Sequence, residues 1–202
     1  MAQRLIAFAV VMVLAGPAAG LRAHEAVRIV GTVTKFDASF DQLWIEARLQ
    51  WQCSVERTAE TLSWQYLKQP GKKFDIIGYY QGEKLMGYAV MFFRKPDRGV
   101  IAKAAITDIC YSPDGSSSTI DALLRECVRL AAERRCGGVV IDVMDDRIQD
   151  RLRHAGFWKV KNPLQLMAWS EAEDPTLLDP NSWFLTRGDS DISIFEHANA
   201  DQ

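Results

Sequence analysis

The sequence is poor in the residues that build metal sites, with three histidines and four cysteines among 202 residues. No two cysteines stand as Cys-x-x-Cys, and His24, His154 and His197 are not arranged to complete a zinc set with them. No metal is expected. Charge of one sign is also scarce. The formal net charge is −2, which gives no bulk attraction to nucleic acid or to an anionic membrane. The two local basic clusters, Arg125–Arg129–Arg134–Arg135 and Arg147–Arg151–Arg153, fall in helix-like stretches and read as solvated faces. No nucleic-acid partner is expected. The apolar run Leu5–Ala15 is about half the ~20 residues that a transmembrane helix needs, so stable membrane insertion is not expected either. Internal repeats and low-complexity tracts are missing as well.

What the chain does have is an apolar fraction of 48% and a charged fraction of 25%. That suits one well-cored domain and not two. Cys110 in a strand-like run and Cys127 in a helix-like one read as reduced core thiols. Residues 1–26 form an apolar leader or N-terminal helix, with Pro17–Ala18–Ala19–Gly20 placed as a cleavage site would be, the layout of a signal peptide. Residues 27–196 form the domain and residues 197–202 a tail. The domain pattern points to the cytoplasm, and the leader, if it is a signal, to export.

Val27–Val33 alternates and is β-branched, so it reads as a first strand. Asp37–Gln50 follows as a helix with Asp37 or Ser39 at its N-cap, and Thr58–Leu67 as a second, stopped by Pro70–Gly71. Phe74–Tyr80 and Lys84–Arg94 form a hairpin across Gln81–Gly82–Glu83, and Ile101–Tyr111 is the next strand. Ser112–Ser118 is a loop leading into the long helix Thr119–Arg135, whose Leu123, Leu124, Cys127, Val128 and Ala131 share one face. Val139–Met144 is a buried strand, Asp145–Ala155 a helix closed by Gly156, and Leu164–Ser170 and Trp183–Thr186 two final strands. Antiparallel strands feeding a strand–helix–strand crossover imply a mixed sheet.

This order resembles the GNAT acyltransferase fold, and in particular its FemAB-like members. The residues that carry the likeness are Trp64-x-Tyr66-x3-Pro70, Gly82-Glu83-x-Leu85-x-Gly87-Tyr88 and Thr107-Asp108-Ile109. With them go Leu152-x3-Gly156-Phe157 and the run from Trp183 to Asp191. The resemblance implies an α/β fold with a GNAT-like mixed, mostly antiparallel sheet and helices on both faces. It implies an N-acyltransferase that moves an acyl group, acetyl in the first instance, from acyl-CoA to an amine. The alternative is a non-catalytic GNAT-like domain, the remnant or C-terminal half of a two-domain FemAB-like protein.

The same resemblance assigns roles. Ile109, Cys110 and Tyr111 would hold the pantetheine arm, and Gly115, Ser116, Ser117, Ser118 and Thr119 the pyrophosphate at a helix N-terminus. No Arg or Gln stands in this loop where the family has one, and Ser116–Ser118 equally suit N-capping. Asp108 matches the catalytic carboxylate, with Asp142 as a rival. Leu152 stands where many relatives carry an acid Tyr. Trp64, Tyr66, Asp189 and Asp191 would shape the acceptor pocket. Trp64 and Tyr66 diverge by about 200° on a helix, so one of them can be core. The competing reading of the two aspartates is turn capping.

Overall fold

A computed structural model describes residues 5–7, 10–14, 28–30, 33–94, 102–160, 165–167 and 174–190. In chain order the strands and helices are β1 (Leu5–Ala7), β2 (Val10–Leu14), β3 (Arg28–Val30), α1 (Ala38–Ala47), β4 (Cys53–Ser54) and α2 (Ala59–Leu62). They continue with β5 (Phe74–Gln81), β6 (Lys84–Phe93), β7 (Lys103–Tyr111), α3 (Ser116–Glu133) and β8 (Gly138–Asp142). The last are α4 (Asp146–His154), β9 (Trp158–Val160), β10 (Gln165–Met167) and β11 (Trp183–Phe184).

Local chemistry explains the helices. Asp37 caps α1 by accepting from the Ser39 amide at 3.0 Å. Phe40, Leu43, Trp44 and Ala47 recur at helical spacing and are all buried. Thr58 caps α2, which runs on into a π turn over Ser63–Leu67. In α4, Asp145 caps through Ile148 N at 2.8 Å, and Gly156 closes the helix at φ 89°.

The main sheet has the order β3-β5-β6-β7-β8-β2-β9. Its pairs are antiparallel except β7–β8, which run parallel with α3 as the crossover. Helices cover both faces: α3 and α4 seal the larger core with Ile77, Met91, Ile106 and Ile141, and α1 seals the other with Ile76, Tyr88 and Val90. This is the mixed, mostly antiparallel α/β architecture that the sequence implies.

The apolar N-terminal run is extended where it is described, not helical. Val10–Leu14 lies between β8 and β9 and pairs antiparallel with both, while Leu5–Ala7 pairs with Gln165–Met167. A continuous apolar run suits a strand covered on both faces as well as it suits a leader. The 197–202 tail lies outside the described residues.

Two features of β7 set up the site. The β6–β7 register jumps from Val90↔Asp108 to Met91↔Ile106, so Thr107 is an extra residue, a β-bulge. Its hydroxyl donates to Val90 O at 3.1 Å. The bulge resets the side-chain alternation. Ala104 and Ile106, then Ile109 and Tyr111, face the α3 core, and Cys110 faces α1. Without the bulge Asp108 would point into the α3 core; with it Asp108 joins Tyr88 on the α1 side. The second feature is divergence. The β7–β8 ladder ends at Ile106↔Ile141, while β7 continues to Tyr111. A wedge opens past the carboxyl ends of the parallel pair, the place where open α/β sheets hold ligands.

Candidate functional site

The wedge begins at Asp108, which is 2% exposed. Its carboxylate accepts from Arg57 Nε at 3.1 Å, Thr186 Oγ1 at 3.0 Å, Tyr88 Oη at 2.9 Å and the Ile109 amide at 3.0 Å. Arg57 is buried too. Its Nη2 donates to Asp189 at 2.5 Å and its Nη1 to Val55 O at 2.8 Å. Its guanidinium lies 4.6 Å from the Phe184 ring centroid and 5.9 Å from that of Trp44. Burial alone would lower the Arg57 pKa; Asp108 and then Asp189 override it and hold the group charged, well above its ordinary range. Burial pushes the Asp189 carboxyl up, against the pull of Arg57. Burial also drives the Tyr88 hydroxyl well up, Asp108 adding to it, so Tyr88 stays a proton donor to Asp108.

Asp108 is thus the hub of a buried ionic cluster, with Arg57, Thr186 and the Ile109 amide on its Oδ1 and Tyr88 on its Oδ2. Sequence reasoning found Asp108 and Asp189 but not Arg57, Thr186 or Tyr88 as their partners. Arg57 lies 51 positions from Asp108 and 132 from Asp189, separations at which no local pattern operates. The rival carboxylate Asp142 is paired with Arg187 at 2.6 Å. Leu152 is fully buried in the α3–α4 core.

Farther along the wedge, a second buried carboxylate ties the two strand ends together. Asp145 accepts from Trp51 Nε1 at 2.7 Å and from Tyr111 Oη at 3.0 Å. Burial, and then Asp145, push the Tyr111 hydroxyl well up. The Trp51 ring stacks on Phe184 at 3.8 Å and meets Tyr111 edge-on at 5.7 Å. Beside it lies a cavity of about 300 Å³ lined by Gln50, Trp51, Met144, Arg147, Lys159 and Trp183, among others. This pair was not anticipated from sequence, where Asp145 was legible only as the start of a helix.

The residues assigned to the pantetheine arm line this wedge, with Ile109, Cys110 and Tyr111 fully buried. Of their backbone groups, the Ile109 amide is taken by Asp108 and the Tyr111 carbonyl by Gln50 Nε2 at 3.0 Å. Burial raises the Cys110 thiol to about 12, which leaves it protonated.

The phosphate-loop residues stand at the start of α3. The N-cap is Gly115, at φ 64° and with no side-chain capping bond, so Ser116, Ser117 and Ser118 are the first helical residues and do not cap. Their amides are the ones a helix leaves without intrahelical acceptors. The Ser118 hydroxyl donates to Gly115 O at 2.8 Å. Thr119 is fully buried, its Oγ1 has no partner among the described residues, and its methyl sits where a Cβ on Gly87 would fall. The loop's own sequence has no basic residue, yet Lys84 of β6 reaches it. Its Nζ is 2.8 Å from Glu46 and 3.8 Å from Asp114.

Of the residues assigned to the acceptor pocket, Tyr66 is buried and Trp64 is 67% exposed, so one is core and the other surface. Asp189 belongs to the Arg57 cluster. Asp191 lies outside the described residues. The segment carrying Asp189 enters the wedge itself. The Met144 amide donates to Leu185 O at 2.8 Å, Val143 bridges Thr186, and Gln65 Nε2 donates to Gly188 O at 2.6 Å. A Cβ on Gly188 would fall 2.1 Å from Tyr66 Oη and 3.1 Å from Thr107 O, so only glycine fits there.

No known protein-family profile matches the chain, and no curated protein matches it. Solved structures do. A GCN5-related N-acetyltransferase from Anabaena variabilis is 12% identical at a TM-score of 0.48, over 68% of this chain and 33% of that one. An aminoglycoside acetyltransferase from an uncultured soil metagenomic sample, in complex with sisomicin, is 16% identical at 0.42, over 55% and 72%. A ribosomal-protein-alanine N-acetyltransferase from Brucella melitensis is 18% identical at 0.41, over 55% and 75%. The α/β architecture stands on this chain's own strand order and register.

Proposed function

We propose that the chain is an acyltransferase of the GNAT type, moving an acyl group, acetyl in the simplest case, from acyl-CoA to an amine. The observation that carries the reading is the parallel pair β7–β8. It diverges after Ile106↔Ile141, directly past a bulge that turns Asp108 toward α1. The chain then runs from the end of β7 into an α3 N-terminus that has no capping side chain.

The first turn of α3 suits a pyrophosphate. The amides of Ser116–Ser118 point along the axis where the helix dipole is positive, the Ser116 and Ser117 hydroxyls can add donors, and Lys84 stands nearby. The edge of β7 at Ile109–Tyr111, beyond the end of the β7–β8 ladder, would take the donor's arm. In the transfer, the amine nitrogen forms the new bond to the acyl carbon as the carbon–sulfur bond breaks, and the proton lost by the amine ends on the departing thiolate. Asp108 is the carboxylate placed to receive that proton. Tyr88, hydrogen-bonded to Asp108, is the nearest hydroxyl through which a proton could move on. The reading places the protein in the cytoplasm, where acyl-CoA is available.

Titration of the purified chain with acetyl-CoA tests this. The proposal expects a dissociation constant in the micromolar range and a stabilisation of about 2.7 kcal/mol at a hundredfold ligand excess over that constant. Absence of both binding heat and stabilisation at millimolar acetyl-CoA would contradict it.

A further inference from the structure

The wedge between β7 and β8 is filled by this chain. On the β8 side, Leu185 O, Thr186 and Arg187 hold Met144 N, Val143 and Asp142. On the β7 side, Thr186 donates to Asp108 and Gly188 packs against Thr107 O. Trp183 and Phe184 lie parallel to Cys53 and Ser54, which carries the segment over the wedge's mouth. A ligand arm and this segment cannot occupy one crevice at one time.

The grip is also of a releasable kind. Thr186 meets β8 in a single isolated bridge and not a ladder. Other contacts run through side chains: Arg187 to Asp142, Gln65 to Gly188 O, Asp189 to Arg57. As whole residues Arg187, Gly188, Asp189 and Ser190 are partly exposed, although the Arg187 and Asp189 side chains are held buried in their ion pairs, whereas Phe184, Leu185 and Thr186 are buried throughout. The polar end can therefore lift while the aromatic end stays anchored on Trp51. The β7 edge under it is met by side chains, Asp108 at the Ile109 amide and Gln50 at the Tyr111 carbonyl, and not by a neighbouring strand.

We propose that Thr186–Ser190 is a displaceable plug of the acyl-donor site, so that donor binding requires the segment to leave the wedge. This rests on the acyltransferase reading above. The apparent donor affinity is then the intrinsic one scaled by the fraction of molecules with the wedge open. Contacts that hold the plug weaken donor binding without touching the donor.

Two variants test it by calorimetry with acetyl-CoA. Gln65→Ala with Arg187→Ala removes two grips on the segment. Val143→Cys with Thr186→Cys places a pair directly opposite across the bridge, where Cα separations of about 4.5–5.5 Å admit a disulfide. The plug predicts about tenfold or more tighter binding in the alanine pair. It predicts no binding in the oxidised cysteine pair, with recovery on reduction. It also predicts faster amide exchange at Thr186, whose amide donates to Asp189 at 2.7 Å, when acetyl-CoA is added to the unmodified protein. Equal affinity in the unmodified protein, the alanine pair and the oxidised pair would overturn the plug and leave the acyltransferase reading standing. No binding by any of them, the reduced cysteine pair included, would overturn both.

Discussion

Replacing Arg57 with methionine removes the cation that Asp108 and Asp189 share. Methionine keeps an apolar stem against Phe184, so the loss is mainly one of charge compensation and not of volume. Removing one partner of a buried ion pair costs about 3–5 kcal/mol, a large part of the ~5–15 kcal/mol that holds a typical domain together. The size of the effect depends on pH, with a definite sign. Without the cation that pulls it down, the Asp189 carboxyl, already raised by burial, lies further above its unfolded value of about 3.9. Such groups contribute stability that is present below the unfolded pKa and lost as pH rises through the folded one. The variant is therefore weakest, relative to the parent, at pH 8, and recovers as the pH falls toward 5. In the parent, Asp189 is already raised by burial, so it imposes a smaller loss of the same sign over the same direction of pH. Urea unfolding at pH 5 and pH 8 measures both effects. Adding Asp108→Asn and Asp189→Asn to the methionine variant should restore most of the loss at pH 8. A deficit under about 1 kcal/mol, or one equal at the two pH values, would refute the account of the cluster.

Three further substitutions probe the packing around the site. Tyr66→Phe should change thermal unfolding little, because its buried hydroxyl makes no well-formed hydrogen bond among the described residues and interacts only weakly with Thr107. Gly188→Ala should destabilise clearly, and Tyr66→Phe should relieve part of that cost, since the tightest obstacle is Tyr66 Oη at 2.1 Å while Thr107 O at 3.1 Å remains. Gly87→Ala puts a Cβ 2.6 Å from the Thr119 methyl and 2.8 Å from the Cys110 carbonyl. It should cost about 1–3 kcal/mol and weaken acetyl-CoA binding by shifting the first turn of α3. Trp51→Phe keeps the ring on Phe184 but removes the 2.7 Å donor to Asp145, a charged acceptor, at about 1.5–3 kcal/mol in urea unfolding.

Most of the fold was legible because it is written locally. Alternation and Gly82 give the β5–β6 hairpin, whose turn glycine sits at φ 60°. The apolar face of α3 and the caps of α1, α2 and α4 mark those helices to within a few residues. The N-terminal run was ambiguous for a physical reason: a continuous apolar stretch suits a strand paired on both edges inside a sheet as well as it suits a leader. At the site, the sequence offered individual carboxylates but not their partners. Asp108–Arg57, Asp142–Arg187 and Trp51–Asp145 join positions dozens of residues apart, and only the bulge at Thr107 decides which face Asp108 takes. Lys84 was invisible as a loop residue for the same reason, because it reaches the loop from a neighbouring strand.

Amide hydrogen exchange at the start of α3, with and without saturating acetyl-CoA, tests the central claim most directly. The account predicts slower exchange across Gly115–Thr119 on ligand addition, as phosphate oxygens take up the amides of Ser116, Ser117 and Ser118. Unchanged exchange across that turn, in a sample where acetyl-CoA binding is independently seen, would contradict the placement of the donor and with it the reading of the site.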